Sequence, residues 1–506
     1  MNFGTLLDAS VALWPDKEAL ISEDERLGYA ELEARTNRVA NGLEALGVGA
    51  GDHVAVLVKN DVRFVETLLG ALRAGASVTP ATTRAHLSTL EHILRDSGAV
   101  ALFASREFAE ACEQLGEKID CLQHVFLMDE SRPGLTRYDA WRDAQSSKRR
   151  VAPVAAQDTA FIAYTSGSTG LPKGVVLTHA TLAWSTRSVV KTLLLSPDER
   201  CLLSVPTFHA NGMFGGLFSM LACGGSVVLQ RDVDPVAMIE AIAREQCTYT
   251  TGVPAMYKMM LREEAALAAH DCSSLRFVIC GSSEVPEDLL AEFSERMAPM
   301  LEAYGLTEGG WVCINPRWGV TKQGTTGLAL PEVNLRIVDP TDPNLDRPQG
   351  EMGELLIQSP AVLVRYHNRP EVTRERLLDG GWLRTGDMVR MDEQGYVTII
   401  GRQDDRISCA GESIYPKEVE NVLMEHPNVA DVAVVARPDE IKGEVPVAFV
   451  VEREPGRSKA DELKQFFLSH GAPYMHPREV HVIDEMPLTA AKKVDRLALK
   501  ERAALG

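Results

Sequence analysis

Short runs of apolar and β-branched residues alternate, over most of the chain, with longer stretches in which apolar residues recur at helical spacing. Residues 54–58 predict a buried strand, and Phe64, Leu68 and Leu72 then mark one face of a helix. Strands and helices in regular alternation pack as helices on mainly parallel sheets, so the sequence predicts an α/β fold. Further strands are predicted at 99–103, 125–128, 159–164, 226–229 and 276–279.

The length of 506 residues exceeds what a single hydrophobic core usually fills, so we expect two lobes. Near residue 400 the pattern changes, because a predicted strand over 397–402 ends in a polar turn that begins at Gln403. Helix and strand signals, with one helix beginning at Pro416, then continue over a length that can fold as its own unit. We expect a large N-terminal lobe of several subdomains with parallel-rich sheets, residues 1–403, and a small α+β C-terminal lobe, residues 404–506.

Acidic residues outnumber basic ones, with 71 Asp and Glu against 52 Lys and Arg, and the net charge is −19. This charge argues against a broad nucleic-acid-binding surface. The nine cysteines include no Cys-x-x-Cys pair, and no secretion signal is recognised, so we expect free thiols in a cytoplasmic protein. The uncharged segment 206–230 contains Pro206, Asn211 and several glycines, which favour a buried helix followed by a strand over a membrane span.

The polar loop, residues 165–174, is the most informative segment of the sequence. It follows an apolar strand and combines three closely spaced glycines with four hydroxyl side chains and Lys173, a mixture that suits a polyphosphate. It differs from the common G-x-x-x-x-G-K-[ST] loop because Gly174 follows the lysine. An ordinary surface loop could have the same composition. The candidate ligands are Thr165, Ser166, Gly167, Ser168, Thr169, Gly170 and Lys173.

Two later motifs carry side chains that suit a nucleotide. In the segment 303–308, the Tyr304 ring can stack on a purine, and Thr307 and Glu308 can contact phosphate oxygens and Mg²⁺. In the segment 382–387, the Asp387 carboxylate can accept hydrogen bonds from the two hydroxyls of a ribose.

With these motifs, the sequence resembles the adenylate-forming superfamily, which includes acyl-CoA synthetases, aryl-CoA ligases, peptide-synthetase adenylation domains and luciferases. The resemblance extends over nearly the whole chain, because the motifs follow the family's order and spacing. It implies that Glu308 binds Mg²⁺, that Asp387 binds ribose, and that Arg402 is a second ribose or phosphate contact. An ion pair of Arg402 with a neighbouring aspartate is the alternative. The adenine contacts that it implies are Gly281, Ser282, Ser283, Ala303, Tyr304 and Gly305, with Thr307 on phosphate.

The resemblance also implies a moving C-terminal lobe and a tunnel for the thiol. Asp404 corresponds to the hinge, and Gly411 and Glu412 to the tunnel loop, where Ala410 replaces a glycine that is common in the family. His209 lies in a segment that borders the acid's carboxylate in the family, although a structural histidine is an equal alternative. The candidate acid pocket contains His209, Asn211, Gly212, Met213, Trp311 and Val312. These residues favour a bulky, uncharged acid.

One motif departs from the family. Its P-x-T-x-x-G-K pattern is matched here by residues 487–493, with Lys493 in the catalytic position and Lys492 in place of glycine. A lysine at a position that requires positive φ is strained. We therefore expect Lys493, or else Lys492, to serve adenylation together with His209, Thr165 and Glu308, and we expect adenylation to be weakened while thiol transfer survives.

The predicted activity is that of an acid–CoA ligase, an acyl-CoA synthetase that forms an acyl adenylate, AMP and pyrophosphate. The alternatives are an acyltransferase that takes a preformed acyl adenylate to CoA, an adenylation enzyme that loads a carrier protein, and a non-catalytic nucleotide-binding protein. The expected ligands are ATP or AMP, Mg²⁺, coenzyme A and a small-molecule carboxylic acid or acyl adenylate. We expect no nucleic acid partner and no membrane span, and a homodimer is possible.

Overall fold

The computed structural model describes residues 1–165, 171–282, 285–410, 412–488 and 494–505. The strands, in chain order, are β1 (Glu18–Ile21), β2 (Arg26–Gly28), β3 (His53–Leu57), β4 (Ser77–Pro80), β5 (Ala99–Ala104), β6 (His124–Leu127), β7 (Thr136–Arg137), β8 (Thr159–Thr165), β9 (Lys173–Thr178), β10 (Arg200–Leu203), β11 (Ser226–Leu229), β12 (Tyr249–Gly252), β13 (Phe277–Gly281), β14 (Met300–Leu306), β15 (Gly310–Ile314), β16 (Leu328–Ala329), β17 (Asn334–Val338), β18 (Gly353–Gln358), β19 (Arg365–Tyr366), β20 (Leu377–Leu378), β21 (Trp382–Met391), β22 (Val397–Arg402), β23 (Ile407–Cys409), β24 (Glu412–Ile414), β25 (Val429–Asp439), β26 (Gly443–Glu452) and β27 (Glu479–Val482).

The helices separate most of these strands. They are α1 (Asp8–Leu13), α2 (Tyr29–Ala45), α3 (Val62–Ala74), α4 (Leu87–Ser97), α5 (Ala109–Lys118), α6 (Tyr138–Asp143), α7 (His179–Leu193), α8 (Ala210–Gly212), α9 (Phe218–Cys223), α10 (Pro235–Glu245), α11 (Pro254–Arg262), α12 (Glu264–Ala269), α13 (Glu287–Arg296), α14 (Pro370–Arg376), α15 (Pro416–Met424), α16 (Ala460–His470) and α17 (Arg496–Leu505). A π-helical turn, Met213–Leu217, joins α8 to α9.

The chain forms two compact units. The first comprises residues 1–335 and 357–383, and the second comprises 336–356 and 384–506. The boundaries fall inside the strands β17, β18 and β21. Compactness does not measure movement, so a mobile lobe after residue 403, with a hinge at Asp404, stays a prediction.

Two large sheets form the first unit. One has the order β16-β15-β14-β13-β12-β10-β11-β1-β2, and its neighbours from β14 to β1 pair in parallel. The other has the order β19-β9-β8-β4-β3-β5-β6-β7. The strands β11, β12 and β13 are completely buried, which explains why β11 and β13 are mainly apolar along their length instead of alternating between apolar and polar residues.

The second unit contains a sheet of order β24-β23-β26-β25, with β27 on β26. Alternate residues of β25 face two different cores, as expected for the two-residue period of a strand. Val434 packs in the core that contains Phe467 of α16, whereas Val435 packs in the core that contains Leu499 of α17. The predicted α/β fold with a separate α+β part is confirmed.

The uncharged segment 206–230 has the predicted form, a buried helical stretch followed by the strand β11. In the part of the chain that the structure describes, no helix combines the length and hydropathy needed to cross a bilayer. The nine cysteines are free thiols, as predicted.

A buried histidine ties the N-terminal segment to α7. His179 is the first residue of the helix, its side chain is buried, and its Nδ1 accepts a hydrogen bond from the backbone N–H of Phe3 over 3.1 Å. Burial lowers the pKa of His179 to about 4. If Nδ1 were protonated, it could no longer accept this bond, and its N–H would face the N–H of Phe3. The folded state therefore requires the neutral ring.

The lowered pKa predicts a pH-dependent contribution to stability. The unfolded chain takes up the proton below about pH 6.5, so the contribution is complete above that pH and is lost as the pH falls toward 4. We expect the difference in urea midpoint between wild type and His179→Gln to shrink from pH 7 to pH 4.5. The exposed His86 provides the control, and the difference for His86→Gln should stay constant. A constant difference for His179→Gln would contradict the assignment.

Candidate active site

Several predicted site residues lie outside the described residues, so their roles stay predictions. They are Ser166, Gly167, Ser168, Thr169, Gly170, Ser283, Gly411, Lys492 and Lys493.

The two ends of the polar loop lie side by side in the first unit. Thr165 at the end of β8 pairs with Lys173 at the start of the antiparallel strand β9. A hydroxyl and an ammonium group therefore lie on neighbouring strands where the loop leaves and rejoins the sheet. Gly174 is required by close packing, because a Cβ there would lie 2.7 Å from Cγ2 of Ile162. This arrangement places two of the predicted phosphate ligands together.

The carboxyl ends of β13 and β14 carry the predicted adenine contacts. Gly281 pairs with Ala303, and a Cβ on Gly281 would lie 2.5 Å from the Ala303 carbonyl oxygen. Ser282 then adopts a φ of 66°, in the left-handed region, so the chain turns sharply after the strand. Tyr304 follows Ala303 on β14. Parallel strands bring their carboxyl ends to one edge of the sheet, where ligands commonly bind.

Glu308 is held by the segment that precedes α14. The Tyr366 hydroxyl donates to Glu308 Oε1 over 3.2 Å, and the Glu308 carbonyl oxygen accepts from the backbone N–H of Leu363 over 2.7 Å. Among the described residues, no group of three or more His, Cys, Asp or Glu side chains could hold a metal ion. A single carboxylate such as Glu308 is compatible with Mg²⁺, which proteins often hold with one or two carboxylates while the substrate phosphates supply further ligands.

A cleft in the first unit brings together residues from two of the predicted groups. His209 and Met213 of the predicted acid pocket line it, as does Thr307 of the second motif. The His209 ring lies 4.4 Å from the Phe208 ring, centroid to centroid. The remaining lining residues are mostly apolar, and those on strands belong to β4, β8 and β9 of the eight-stranded sheet: Pro80, Thr82, Ile93, Ala163, Tyr164, Leu177, Phe208, Ala210 and Phe214.

The other predicted acid-pocket residues do not line this cleft. Asn211 accepts a hydrogen bond from Thr251 Oγ1 over 2.5 Å, and its amide lies 3.4 Å from Ser282 Oγ, so it connects α8 to the sheet edge. Val312 is completely buried. The Trp311 ring covers Gly215, where a Cβ would lie 2.6 Å from Cζ2.

Gly212 is similarly enclosed, because a Cβ there would lie 2.8 Å from the Pro206 carbonyl oxygen. Gly305 is required by the β14–β15 hairpin, since a Cβ would approach the Gly310 carbonyl oxygen to 2.6 Å. These glycines therefore allow close backbone approach, and their contribution to an acid pocket stays a prediction.

In the second unit, the two predicted ribose ligands pair with each other. Asp387 and Arg402 are opposite residues of β21 and β22, and Arg402 Nη1 lies 3.1 Å from Asp387 Oδ1. The Asp387 side chain is 5 % exposed, whereas that of Arg402 is 49 % exposed. The neighbouring aspartates that the sequence offers to Arg402 are Asp404 and Asp405. Arg402 pairs with Asp387, so the two candidate ribose ligands lie side by side.

A buried carboxylate supports this strand. Glu354 contacts the guanidinium of Arg384 and accepts from the backbone N–H of Gly386 over 3.3 Å. Thr385 Oγ1 accepts from the Asp387 N–H over 3.0 Å and donates to the Leu355 carbonyl oxygen over 2.7 Å. These bonds orient the backbone on which Asp387 is carried.

The thiol-tunnel and lysine motifs are described only in part. Ala410 adopts a φ of 52°, which a glycine would adopt without strain, and its N–H donates to the Lys442 carbonyl oxygen over 2.8 Å. Glu412 pairs with Cys409 across the β23–β24 hairpin. A β-bridge joins Leu488 to Val494 on either side of the lysine segment.

Some contacts could not be found by reading the sequence. Tyr366 contacts Glu308 from a position 58 residues further along the chain, and no motif marks it. Thr82 and Ile93 reach the cleft because β4 lies beside β8 in the sheet order. Phe208 and Ala210 also line the cleft, and the sequence indicates them only through their position on either side of His209.

Comparisons with known proteins identify the chain. Residues 7–367 match the family model of the AMP-binding enzyme, and residues 418–493 match that of its C-terminal domain. The feruloyl-CoA synthase of an Amycolatopsis species is 35 % identical, with 97 % of this chain and 98 % of the relative covered. The indoleacetate–CoA ligase of Aromatoleum aromaticum is 36 % identical, with 100 % and 98 % covered.

Among solved structures, the anthranilate CoA ligase AuaEII in complex with anthranoyl-AMP superimposes with a TM-score of 0.92 at 26 % identity, covering 100 % of this chain and 98 % of that one. These findings confirm the predicted family, fold class and acyl-CoA synthetase activity, with ATP and CoA as substrates. The chain belongs to the AMP-binding enzyme family.

Proposed function

We propose that the protein is an AMP-forming acid–CoA ligase whose substrate is a bulky, uncharged aromatic carboxylic acid. The observation that carries this proposal is the cleft in the first unit, where His209 and Thr307 lie among mainly apolar side chains. Apolar walls with a few polar groups are typical of sites for uncharged organic ligands. The relatives named feruloyl-CoA synthase and indoleacetate–CoA ligase act on acids of this class.

The reaction proceeds in two steps. A carboxylate oxygen attacks the α-phosphorus of ATP, and pyrophosphate leaves, which gives an acyl adenylate. The thiol of CoA then attacks the acyl carbon, loses its proton, and displaces AMP. Activation is needed because an unmodified carboxylate has no acceptable leaving group.

In this proposal each group of residues has a defined task. Thr165 and Lys173 bind phosphate oxygens at the ends of the polar loop, and Thr307 adds a hydroxyl. Tyr304 packs on adenine, Asp387 and Arg402 bind the ribose, and His209 borders the acid. Mg²⁺, when held by Glu308, supplies positive charge to the phosphates. The donors act by electrostatic stabilisation, since they are oriented before the reaction begins.

Two alternatives concern the acyl acceptor and the first step. An enzyme that only transfers a preformed acyl adenylate is motivated by Lys492, and an enzyme that loads a carrier protein would replace CoA by a protein-bound thiol. The relatives named as CoA ligases support CoA as the acceptor. A homodimer and a cytoplasmic location also stay predictions.

The function is tested by assaying the two half-reactions separately. We expect ATP–pyrophosphate exchange that depends on ferulate or indoleacetate, and CoA thioester formation from the same acids. Malonate is the control, because a dicarboxylate needs a second cation beside the cleft, and it should support neither reaction. Thioester formation only from a supplied acyl adenylate would favour the specialised transferase, whereas exchange with malonate alone would contradict the proposed acid class.

The lysine motif is tested by single substitutions. We expect Lys493→Ala to lower acid-dependent exchange by about 10²–10³-fold, because it removes a cation from the developing negative charge, while thioester formation from supplied acyl adenylate is retained. Lys492→Ala should have a much smaller effect on exchange. The exposed Lys500 of α17 provides a matched control variant, Lys500→Ala, which should match the wild type. Unchanged exchange in both Lys492→Ala and Lys493→Ala would refute the motif assignment.

A further inference from the structure

Helix α4 contacts the chain on both sides of the polar loop's central residues. The Tyr164 hydroxyl, directly before the loop, donates to Asp96 Oδ2 over 2.8 Å. His92 Nε2 lies 3.0 Å from the carbonyl oxygen of Pro172, near the end of the loop. A carbonyl oxygen only accepts, so the His92 ring donates through Nε2.

The two α4 residues lie on one face of the helix, because they are four positions apart in sequence. The rings of His92 and Tyr164 also approach edge to face, with centroids 6.4 Å apart and an interplanar angle of 84°. One helix face therefore contacts the end of β8 and the residue that precedes β9. The spacing explains why a single rigid element can reach both.

Asp96 is itself held from a second direction. Its backbone carbonyl oxygen lies 2.9 Å from His367 Nε2 and accepts from Asn368 Nδ2 over 3.1 Å. The backbone N–H of His367 donates to the Gly174 carbonyl oxygen over 2.7 Å, so the same segment also contacts the start of β9. The end of α4 is thereby joined to both strands that flank the loop.

The charge of Asp96 makes it unsuitable as a phosphate ligand. Its side chain is 11 % exposed, and Oδ1 lies 3.5 Å from Arg369 Nη1 while Oδ2 accepts from Tyr164. Burial and the bond to Asp96 raise the pKa of Tyr164, so its hydroxyl remains a donor at neutral pH. Asp96 thus acts on the loop through Tyr164, as a positioning residue.

We propose that His92 and Asp96 form a two-point clamp that positions the polar loop and so sets the affinity for ATP. The clamp rests on the proposed function, in which this loop binds the phosphates of ATP. It takes no part in forming or breaking bonds. It therefore acts on ATP binding and leaves the affinity for CoA unchanged.

The first test removes one hydroxyl. Tyr164→Phe should raise the Kd for Mg·ATP, measured by titration without acid, and the KM for ATP about tenfold, the equivalent of about 1.4 kcal/mol. The KM for CoA should stay within about twofold, a split that general destabilisation would not produce.

Tyr138→Phe provides the matched control. Tyr138 donates to Glu66 Oε1, also over 2.8 Å, and it is completely buried in the same unit. Its loss removes the same kind of bond away from the loop, so it should lower the melting temperature and leave the Kd for ATP unchanged. An equal rise in Kd for both variants, or no rise for Tyr164→Phe, would overturn the clamp.

The second test uses rescue at the other contact. His92→Ala removes the donor to Pro172 and should raise the Kd for ATP, whereas the side chain of His92→Gln keeps an N–H donor and should recover most of the affinity. Equal affinities for the two variants would refute this half of the clamp. Direct ATP titration separates the two proposals: wild-type protein that binds ATP but activates no acid would refute the proposed function and leave the clamp testable.

Discussion

The candidate site depends on the parallel pairing of β12, β13 and β14 in the first unit. Parallel strands must end at the same edge of their sheet, and here that edge carries Gly281 and Ser282 at the end of β13 and Tyr304 within β14. The pairing tolerates no side chain at Gly281, because the Ala303 carbonyl oxygen occupies that space. Residues far apart in sequence therefore become neighbours through backbone geometry alone.

The carboxylates near the candidate site differ in whether their partners are charged or neutral. Glu354 is buried against Arg384 and the backbone N–H of Gly386, and Asp96 is shared between Tyr164 and Arg369. Glu308 is only partly buried and accepts from the neutral hydroxyl of Tyr366. A carboxylate paired with a neutral donor keeps its full charge for a cation, which is why Glu308 suits Mg²⁺ better than the others do.

Much of the fold could be predicted from periodicity. The run 54–58 corresponds closely to β3, and the helix expected to begin at Pro416 is α15. Such predictions succeed because burial on both faces of a parallel sheet requires continuous apolar runs, and because proline fixes the first turn of a helix. Asp387 is a nearly buried carboxylate at one end of the hydrogen-bonded strand pair β21–β22, and its role as a ribose ligand stays a prediction.

Contacts between distant segments could not be predicted in the same way. Arg402 has two aspartates beside it in sequence, yet strand pairing places it opposite Asp387. Tyr366 contacts Glu308, and Asp96 contacts Tyr164, because of the order of the strands and the position of α4. No local sequence pattern predicts these contacts. The sequence shows that Ala410 replaces a glycine that is common in the family. Only the φ of 52° at Ala410 shows that the backbone there has the conformation a glycine prefers.

We propose that the nucleotide binds at the carboxyl edge of the nine-stranded sheet. A crystal structure of the protein with AMP tests it most directly. The account predicts the adenine ring against the Tyr304 side chain and beside Gly281 and Ala303. A fully occupied AMP that contacts none of these three residues would contradict it.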